Sequence, residues 1–356
     1  MLSRYTVLLS FAVTALALSS GDLTVKLSAV SPTVASIDDI ILTAVVSNPT
    51  SKDIKFVKFN TVLDELPTKS FKVKKGDADV LFSGVDVVPA ITEDSAFVTI
   101  PAGGSIAVNH TVSASYDFES AGAGTFTFDA ITNLRVSEGG KMTHFALDAA
   151  SVDVEVTADV AKRTVFPESA NLRASNPVCN DAGRRNQLAA ALDEARAVAG
   201  GAAHNIRADP NSANFRTYFN NHNRNDIWYN FDRIAGNYGG NRGLHCVDRA
   251  GGLCSNPGIA AYVWLVTSGG NIISSESYFC NWFFTSTRDL RSTCSGVNFP
   301  STRANVMLHE LTHGDFASGD IVYDCPGSRA LGDADKKKNA DNYTCFAMHN
   351  WKQYNC

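Results

Sequence analysis

The stretch Val306-Met307-Leu308-His309-Glu310-Leu311-Thr312-His313-Gly314 carries an H-E-x-x-H motif inside an apolar helical pattern. Upstream, Thr302 offers a hydroxyl that can cap the helix, and the final glycine is expected to end it. The two histidines stand four positions apart, so both imidazoles project from one helix face. A glutamate between them supplies a base for water that zinc activates. The motif therefore predicts a helix with a zinc site, in which His309 and His313 are ligands and Glu310 is the base.

Catalytic zinc needs a third protein ligand, and no glutamate occurs between residues 311 and 356. The pattern H-E-x-x-H-x-x-G-x-x-H also fails, because Phe316 and Asp320 stand where its glycine and third histidine belong. Asp341 has the most favourable local setting, since residues 339–348, NADNYTCFAM, have the pattern of a helix with one apolar side. A role as a helix cap explains Asp341 equally well, so the pattern alone leaves the ligand open. The downstream candidates are Asp320, Asp324, Asp333, Asp335, Asp341 and His349.

Charge is distributed unequally along the 356-residue chain, whose formal net charge is −5. Residues 1–163 hold 13 Lys and Arg against 19 Asp and Glu, whereas residues 164–356 hold 18 against 17. Such a balance is typical of an ordinary soluble protein and gives no indication of nucleic-acid binding. Two differently composed domains are therefore expected.

The first residues have the pattern of an export signal. Arg4 precedes the apolar run VLLSFAV, residues 7–13, which leads to the small-residue site Ala15-Leu16-Ala17. This apolar core is shorter than the roughly 20 residues that a membrane span requires. The sequence therefore predicts a signal peptide over residues 1–17, a secreted protein and no membrane association.

All eight cysteines lie in the second half of the chain. An even number of cysteines in an exported chain favours disulfides, here four of them. Zinc binding by cysteine is disfavoured because the chain contains no C-x-x-C pair. Spacing alone does not decide how these cysteines pair: Cys179, Cys246, Cys254, Cys280, Cys294, Cys325, Cys345 and Cys356.

Alternating apolar and polar residues predict β-strands throughout the first half, for example in LTVKL, residues 23–27. This half is expected to form an all-β, sandwich-like domain. The pair Lys162-Arg163 lies where charge and cysteine content change, in a segment open to a processing protease. We therefore interpret residues 18–173 as a propeptide that is removed by cleavage near residue 163 or 173.

The second half, residues 174–356, is predicted to be an α+β domain of the zincin type, mainly helical with a small antiparallel sheet. Alanine-rich and aromatic residues at helical spacing predict helices, and β-branched and aromatic residues about a Ser-Gly-Gly turn predict a hairpin. The helices are predicted over 186–199, ended by Gly200-Gly201, and over 215–235, and the hairpin strands over 261–266 and 271–273.

HELTH, residues 309–313, followed by NADNY, residues 339–343, resembles the deuterolysins. These are secreted fungal metalloendopeptidases, called aspzincins because an aspartate completes their zinc site. The order of signal, β-rich propeptide, basic processing site and cysteine-bonded catalytic domain is also similar to that family. The resemblance implies that His309, His313 and Asp341 bind one zinc ion, with Glu310 as general base. It also implies the disulfides Cys179–Cys246, Cys254–Cys280, Cys294–Cys356 and Cys325–Cys345.

Two departures from the family concern catalysis. The family has G-T-x-D-x-x-Y-G after its motif, and residues 319–324, GDIVYD, keep only the D-x-x-Y spacing, through Asp320 and Tyr323. The resemblance implies that Asp320 is catalytic and accepts a hydrogen bond from a ligating histidine. The family also has a catalytically important tyrosine where this chain has Phe283. Either activity is reduced, or Tyr278 or another hydrogen-bond donor replaces that tyrosine.

Together these features predict a secreted, monomeric zinc metalloendopeptidase that hydrolyses peptide bonds in proteins through a zinc-activated water molecule, with Glu310 as general base. Substrate is expected to bind extended beside an edge strand near residues 261–266. The propeptide is expected to assist folding and to keep the precursor inactive. Two alternatives remain open: a secreted zinc-binding effector or binding protein with weak or no peptidase activity, and a lysine-selective peptidase with Asp315 or Asp324 in its pocket.

Overall fold

Two hydrophobic cores organise the protein, one in each half of the chain. The N-terminal core is formed mainly by strands, whereas the C-terminal core joins several helices to one face of a sheet. A third, smaller cluster lies between the halves and includes Phe59, Val87 and Tyr262. The computed structural model describes residues 23–138, 141–163, 177–236, 242–248, 252–268 and 271–356. The predicted signal peptide and the predicted cleavage near residue 173 lie outside these ranges.

The N-terminal region, residues 23–163, consists mainly of strands because apolar and polar residues alternate along most of its segments. Along Gly124–Ala130, for example, Phe126 and Phe128 point to the core while their neighbours are more exposed. A short helix, α1 (Phe118–Ala121), and two short 3-10 helices (Ile37–Asp39 and Asp94–Ala96) interrupt the strands. The strands are β1 (Thr24–Ala29), β2 (Thr33–Ser36), β3 (Ile41–Ser47), β4 (Ile54–Val57), β5 (Phe71–Lys75), β6 (Ala78–Asp79), β7 (Val85–Pro89), β8 (Phe97–Ile100), β9 (Ser105–Thr111), β10 (Gly124–Ala130), β11 (Asn133–Glu138), β12 (Lys141–Ala146) and β13 (Val152–Asp159).

These strands pair into three sheets with the orders β1-β3-β9, β2-β13-β10-β5-β6 and β12-β11-β4-β8. Neighbouring strands are antiparallel except for β2 and β13, which are parallel. The arrangement has one sheet more than a two-sheet sandwich, because β4, β8, β11 and β12 pair with one another. Strand β7 belongs to none of the three and joins the sheet of the other half of the chain.

The C-terminal region, residues 177–356, is α+β, as predicted, with helices packed on one sheet. Its helices are α2 (Ala182–Ala208), α3 (Ala213–Phe219), α4 (Arg224–Gly236), α5 (Asn281–Ser286), α6 (Arg303–Phe316), α7 (Cys325–Ala330), α8 (Asp333–Lys336) and α9 (Ala340–Asn355). Its strands are β14 (Pro177–Val178), β15 (Arg242–His245), β16 (Ile259–Ser268) and β17 (Asn271–Phe279), and its 3-10 helices are Leu253–Ser255, Leu290–Ser295 and Phe299–Ser301. Within the described ranges, no helix is both long and apolar enough to cross a membrane.

Two of the predicted helix boundaries are wrong. Helix α2 runs through Gly200-Gly201 and ends at Ala208. A Cβ at Gly200 would lie 3.6 Å from that of Ala235, an ordinary packing distance, and the glycine pair does not act as a stop signal. The segment predicted as one helix over 215–235 is divided into α3 and α4, because Asn220 takes a positive φ of 47° between them.

The sheet of the C-terminal region has the order β14-β15-β17-β16-β7 and is mixed. β14, β15 and β17 run parallel, whereas β16 is antiparallel to both of its neighbours. The prediction of an antiparallel sheet is wrong for β14 and β15, because the crossover through α2, α3 and α4 returns the chain in the same direction. The predicted hairpin is confirmed, with β16 and β17 paired from Ala261 opposite Phe279 to Ser268 opposite Asn271.

Disulfides cross-link the C-terminal region in the four pairings that the family resemblance implied: Cys179–Cys246, Cys254–Cys280, Cys294–Cys356 and Cys325–Cys345. The bond between Cys325 and Cys345 joins the first residue of α7 to α9. It therefore holds the segment that follows α6 against the last helix of the chain.

Candidate metal centre

Helix α6 carries the H-E-x-x-H motif into the interior. The hydroxyl of Thr302 accepts a hydrogen bond from the backbone N–H of Asn305 and caps the helix, as predicted. The helix continues past Gly314, its predicted end, and Ala317 ends it in a left-handed conformation. Gly314 permits close packing, because a Cβ there would lie 2.7 Å from the hydroxyl oxygen of Ser275 on β17. Close packing of α6 on the sheet thus explains why position 314 is a glycine, although the sequence pattern predicted that this glycine would end the helix.

The two histidines of α6 are oriented by hydrogen bonds from their Nδ1 atoms. Nδ1–H of His309 donates to Oδ1 of Asp341 at 2.8 Å, and Nδ1–H of His313 donates to the carbonyl oxygen of Ser318 at 2.9 Å. In the neutral form of both rings, Nε2 is therefore the nitrogen that keeps its lone pair. Both rings are buried, yet neither Nε2 has a hydrogen-bond partner among the described residues. This arrangement is typical of imidazoles that bind a metal.

Asp320 brings a carboxylate oxygen to both histidines. Its Oδ1 lies 3.0 Å from Nε2 of His309 and 3.3 Å from Nε2 of His313. One ligand atom from each of these three buried residues lies within 4.8 Å of the other two. Oδ1 of Asp320 also has no hydrogen-bond partner in the part of the chain that the structure describes. Converging buried polar atoms without hydrogen bonds fit a cation among them, and two nitrogens with one oxygen fit zinc.

Asp341 lies on the Nδ1 side of His309, away from this cluster. Its Oδ1 accepts from His309, and its Oδ2 accepts from the backbone N–H of Asp324 at 2.6 Å. The hydroxyl of Thr344 lies 3.2 Å from Oδ1. This geometry differs from the expected one, in which Asp341 is a ligand. Asp320 lies beside Nε2 of both histidines, whereas Asp341 accepts a hydrogen bond from Nδ1 of His309.

Glu310 lies between the two histidines on α6 and is buried. Neither of its carboxylate oxygens has a hydrogen-bond partner within the described ranges. Burial raises the pKa of Glu310 to about 8, although attraction to His313 and His309 opposes this. For Asp320 burial also favours the neutral form, but the same two imidazoles outweigh it and hold the pKa well below its usual value. A raised pKa suits a group that exchanges a proton near neutral pH, and a lowered one suits a metal ligand.

The loop that carries Asp320 is tied to the start of α9. The backbone N–H of Gly319 donates to the carbonyl oxygen of Lys338 at 2.7 Å. Oδ1 of Asn339 accepts from the two backbone N–H groups that follow Asp320, each at 3.0 Å. These bonds bring Asp320 and Asp341 to the two sides of His309.

Tyr323 is a residue of the centre to which the sequence reasoning gave no role. Its hydroxyl donates to Oδ2 of Asp320 at 2.6 Å, and its ring stacks on that of His309 with centroids 5.8 Å apart. The D-x-x-Y spacing is the sequence signal that identifies it. Phe283, by contrast, is packed in the C-terminal core, and the hydroxyl of Tyr278 donates to Glu276. The tyrosine hydroxyl beside the cluster is therefore that of Tyr323.

The other candidate residues form hydrogen bonds or ion pairs away from the three converging ligand atoms. Asp315 forms a buried ion pair with Arg242 at 2.8 Å, and Asp324 pairs with His144 of the N-terminal region, also at 2.8 Å. The carboxylate of Asp315 is thus occupied and does not offer a charge to a substrate lysine. Asp333 accepts a hydrogen bond from Asn220, and Asp335 forms an ion pair with Lys72. The ring of His349 is hydrogen-bonded to the hydroxyl of Tyr218.

The N-terminal region reaches the centre through several groups, one of which is the guanidinium of Arg135, 4.0 Å from the centroid of the Tyr323 ring. Nδ2 of Asn60 donates to Oδ2 of Asp320 at 2.8 Å, and the carbonyl oxygen of Val87 accepts from the hydroxyl of Tyr323 at 3.0 Å. The carboxylate of Asp86 lies 3.7 Å from Nδ1 of His313. The centre is therefore covered by the N-terminal region in the intact chain.

Comparison with known families places the chain in one of them. The model of the family described as "Deuterolysin metalloprotease (M35) family" matches residues 3–354. A neutral protease 2 homolog from Pyricularia oryzae is 29% identical over 321 residues, which are 86% of this chain and 86% of that protein. Penicillolysin from Penicillium citrinum is 25% identical over 337 residues, 90% of this chain and 91% of that protein. Among solved structures, a zinc peptidase from Grifola frondosa has 18% identity and a TM-score of 0.35, covering 48% of this chain and 97% of that one.

Proposed function

The chain belongs to the deuterolysin metalloprotease family, and on that premise we propose that it is a secreted zinc endopeptidase with His309, His313 and Asp320 as metal ligands and Glu310 as general base. It is a metalloprotease, and its substrates are proteins or peptides. The observation that carries the proposed site is the convergence of three buried ligand atoms within 4.8 Å of one another.

In this proposal Asp320 takes the place that the family resemblance implied for Asp341. An imidazole that donates from Nδ1 offers only Nε2 to a metal, and Asp341 lies at Nδ1 of His309. Asp320 lies at Nε2 of both histidines. Asp341 is then the partner that fixes the tautomer and orientation of His309, a role common to carboxylates behind metal-binding histidines.

His309, His313 and Asp320 would hold a zinc ion, which would supply a Lewis acid to polarise the scissile carbonyl and lower the pKa of a water molecule. Glu310 accepts a proton from the attacking water and delivers it to the leaving amine. Its buried position on α6, between the two histidines in sequence, supports this role. A base is superfluous for zinc binding alone, so the retained Glu310 favours hydrolysis over a purely zinc-binding effector.

Tyr323 is proposed to donate a hydrogen bond to the oxyanion that develops during hydrolysis. Its hydroxyl lies beside the cluster, where the family position at Phe283 offers no donor. In the intact chain this hydroxyl is engaged by Asp320 and Val87. Removal of the N-terminal region would free it from Val87. Loss of one oxyanion donor typically lowers kcat about a hundredfold to a thousandfold.

Substrate is proposed to bind as an extended strand along β16. In the C-terminal sheet β16 follows β17, and only β7 of the N-terminal region lies beyond it among the described strands. Without the N-terminal region, β16 would be an edge strand whose backbone groups can pair with a peptide. This favours unfolded or flexible protein segments as substrates.

The organisation proposed for the precursor is a signal peptide over residues 1–17, a propeptide over 18–173 and a monomeric catalytic domain over 174–356. Four disulfides within the C-terminal region support export to an oxidising compartment. The contacts of Asn60, Asp86 and Val87 with the centre support inhibition of the precursor by the propeptide. Its extensive pairing with the catalytic domain through β7 also supports a part in folding.

The test is casein hydrolysis by the processed protein beside Glu310→Gln, with zinc content measured in both. We expect activity that is abolished by a chelator and restored by zinc. Glu310→Gln should retain zinc and lose activity by about a hundredfold to ten-thousandfold, the usual contribution of a general base. Zinc binding without hydrolysis in the unaltered protein would favour the effector alternative, and unchanged activity in Glu310→Gln would refute the assigned base.

A further inference from the structure

Strand β7 of the N-terminal region holds the position on β16 that the proposed function gives to substrate. It pairs antiparallel with β16, with Asp86 opposite Val263 and Val87 opposite Tyr262. Side chains alternate across a strand, so Asp86 and Val87 face opposite sides of the sheet. Val87 packs in the cluster with Tyr262, whereas Asp86 faces α6 and lies beside His313.

Asn60 links β7 to the metal centre by hydrogen bonds. Its side chain accepts a hydrogen bond from the backbone N–H of Val87 at 3.2 Å and donates to the carbonyl oxygen of the same residue at 2.8 Å. The same amide also donates to Oδ2 of Asp320 at 2.8 Å. The position of β7 is therefore fixed relative to a proposed ligand, and so is the position of Asp86.

Asp86 is a buried carboxylate whose charge is not balanced by a hydrogen bond. It is 1% exposed, and neither of its oxygens has a hydrogen-bond partner in the described ranges. The charged or titratable groups that act on it include His313, Asp320, Lys69, His309 and the buried carboxyl of Glu310. Burial of a carboxylate in this way is unfavourable unless a positive charge lies close by.

A divalent cation among His309, His313 and Asp320 would be that positive charge. Asp86 does not belong to the three residues whose ligand atoms converge, so it would act on the cation through space. The carboxylate of Asp86 lies 3.7 Å from Nδ1 of His313, so a cation bound to Nε2 of that ring would be close to it. The two charges would attract each other strongly, because little water screens charges in a buried site. Asp86 is thus a positioning residue of the precursor and not one of its ligands.

We propose that Asp86 couples metal binding to the closure of the N-terminal region over the active site. This inference rests on the proposed metal site. The cation offsets the charge of buried Asp86 and strengthens the docking of β7, and docked Asp86 strengthens the binding of the cation. Such coupling is reciprocal by thermodynamic necessity. The precursor therefore acquires its metal and its closed state together.

The first test compares the zinc affinities of the intact chain, its Asp86→Asn variant and Asp117→Asn, by competition with a chromophoric chelator. Asp117 is a suitable control because it is also a buried carboxylate of the N-terminal region, where it caps α1 and an asparagine can do the same. Asp86→Asn should bind zinc at least about tenfold more weakly, while Asp117→Asn should match the unaltered chain. Equal affinities of Asp86→Asn and the unaltered chain would overturn the coupling.

The second test is the thermal unfolding midpoint of the same proteins without metal and with saturating zinc. Without metal, Asp86→Asn should raise the midpoint, because the imidazole of His313, 3.7 Å away, only partly offsets the burial of this carboxylate. With zinc, this advantage should vanish or reverse. An Asp86→Asn midpoint that is lowered equally in both states would indicate a packing role and overturn the proposal. Failure of the unaltered intact chain to bind zinc would instead contradict the proposed metal site itself.

Discussion

Nδ1 of His309 lies 2.8 Å from Oδ1 of Asp341, a residue 32 positions later in the chain. The carboxylate can only accept in this contact, so the proton is on Nδ1 and the lone pair is on Nε2. That nitrogen faces Asp320 and His313. One hydrogen bond from α9 thus determines which side of the first histidine is available to a metal.

Replacing Asp341 should weaken zinc binding without removing the site. Asp341→Asn keeps an oxygen that can accept from Nδ1 of His309 but lacks the negative charge. We expect zinc affinity to fall about tenfold to a hundredfold, as for other carboxylates behind ligating histidines, with full occupancy still reached at saturating zinc. Chelator competition on the processed protein measures this. Loss of binding as complete as in His309→Ala would contradict the role.

Removal of the Cys325–Cys345 disulfide should lower both stability and metal affinity. The bond closes a loop with a sequence separation of 20, so replacing both cysteines by serine should cost about 3 kcal/mol in the free energy of unfolding. Zinc affinity should fall as well, because the bond holds the segment beside Asp320 and Asp324 against α9.

The Cys294–Cys356 bond provides the matched control. It closes a longer loop, with a sequence separation of 62, and lies at the end of the chain. Its removal should cost about 4 kcal/mol in stability but leave zinc affinity unchanged. Equal zinc affinities of the two double variants would show that the Cys325–Cys345 bond does not support the centre.

Gly314→Ala should destabilise the protein although alanine is the better helix former. The added Cβ would lie 2.7 Å from the hydroxyl oxygen of Ser275, so α6 would be pushed from β17 at a cost of about 1–3 kcal/mol. Urea unfolding measures the change, and a second substitution, Ser275→Ala, should recover part of it. Gly201→Ala in α2 is the control, since its Cβ would meet nothing within 4 Å and should stabilise the helix by up to about 1 kcal/mol. Equal effects at the two glycines would contradict the packing role of Gly314.

The stability of the intact chain should depend on pH through Asp64, which accepts a hydrogen bond from the backbone N–H of Asn60. Burial raises the pKa of Asp64 to about 6. Because folding raises this pKa, the protonated carboxyl of Asp64 adds to the free energy of unfolding. This stabilisation is complete below the unfolded pKa of about 3.9 and is lost as pH rises through about 6. The loss should amount to about 3 kcal/mol.

Unfolding of the intact chain at several pH values between about 4 and 7, compared with Asp64→Asn, isolates this contribution. The variant should lack that part of the pH dependence, whatever constant offset the amide introduces. The same pH dependence in both proteins would show that Asp64 does not titrate in this range.

The parts of the structure that the sequence predicted are those set by local pattern. The capped helix with His309 and His313, the hairpin of β16 and β17, and the α+β character of the second half all follow from residue spacing. The disulfide pairings came from the family resemblance, since spacing did not decide them. Local patterns failed at Gly200, through which α2 continues, and at Gly314, where close packing requires glycine inside a helix.

Which carboxylate lies beside Nε2 of His309 does not follow from the sequence, because it depends on contacts between distant segments. Asp341 has the better local pattern, on a packed helix, whereas Asp320 lies in a loop without periodicity. The bonds from Gly319 to Lys338 and from Asn339 back to the loop decide which carboxylate approaches Nε2. The pairing of β7 with the other half of the chain is non-local in the same way.

The most direct measurement is a crystal structure of the zinc-loaded protein with anomalous diffraction recorded at the zinc edge. The account predicts one zinc ion bonded at about 2.0–2.2 Å to Nε2 of His309, Nε2 of His313 and a carboxylate oxygen of Asp320. Asp341 should remain hydrogen-bonded to Nδ1 of His309. Zinc bonded to Asp341, with Asp320 outside the coordination sphere, would contradict it.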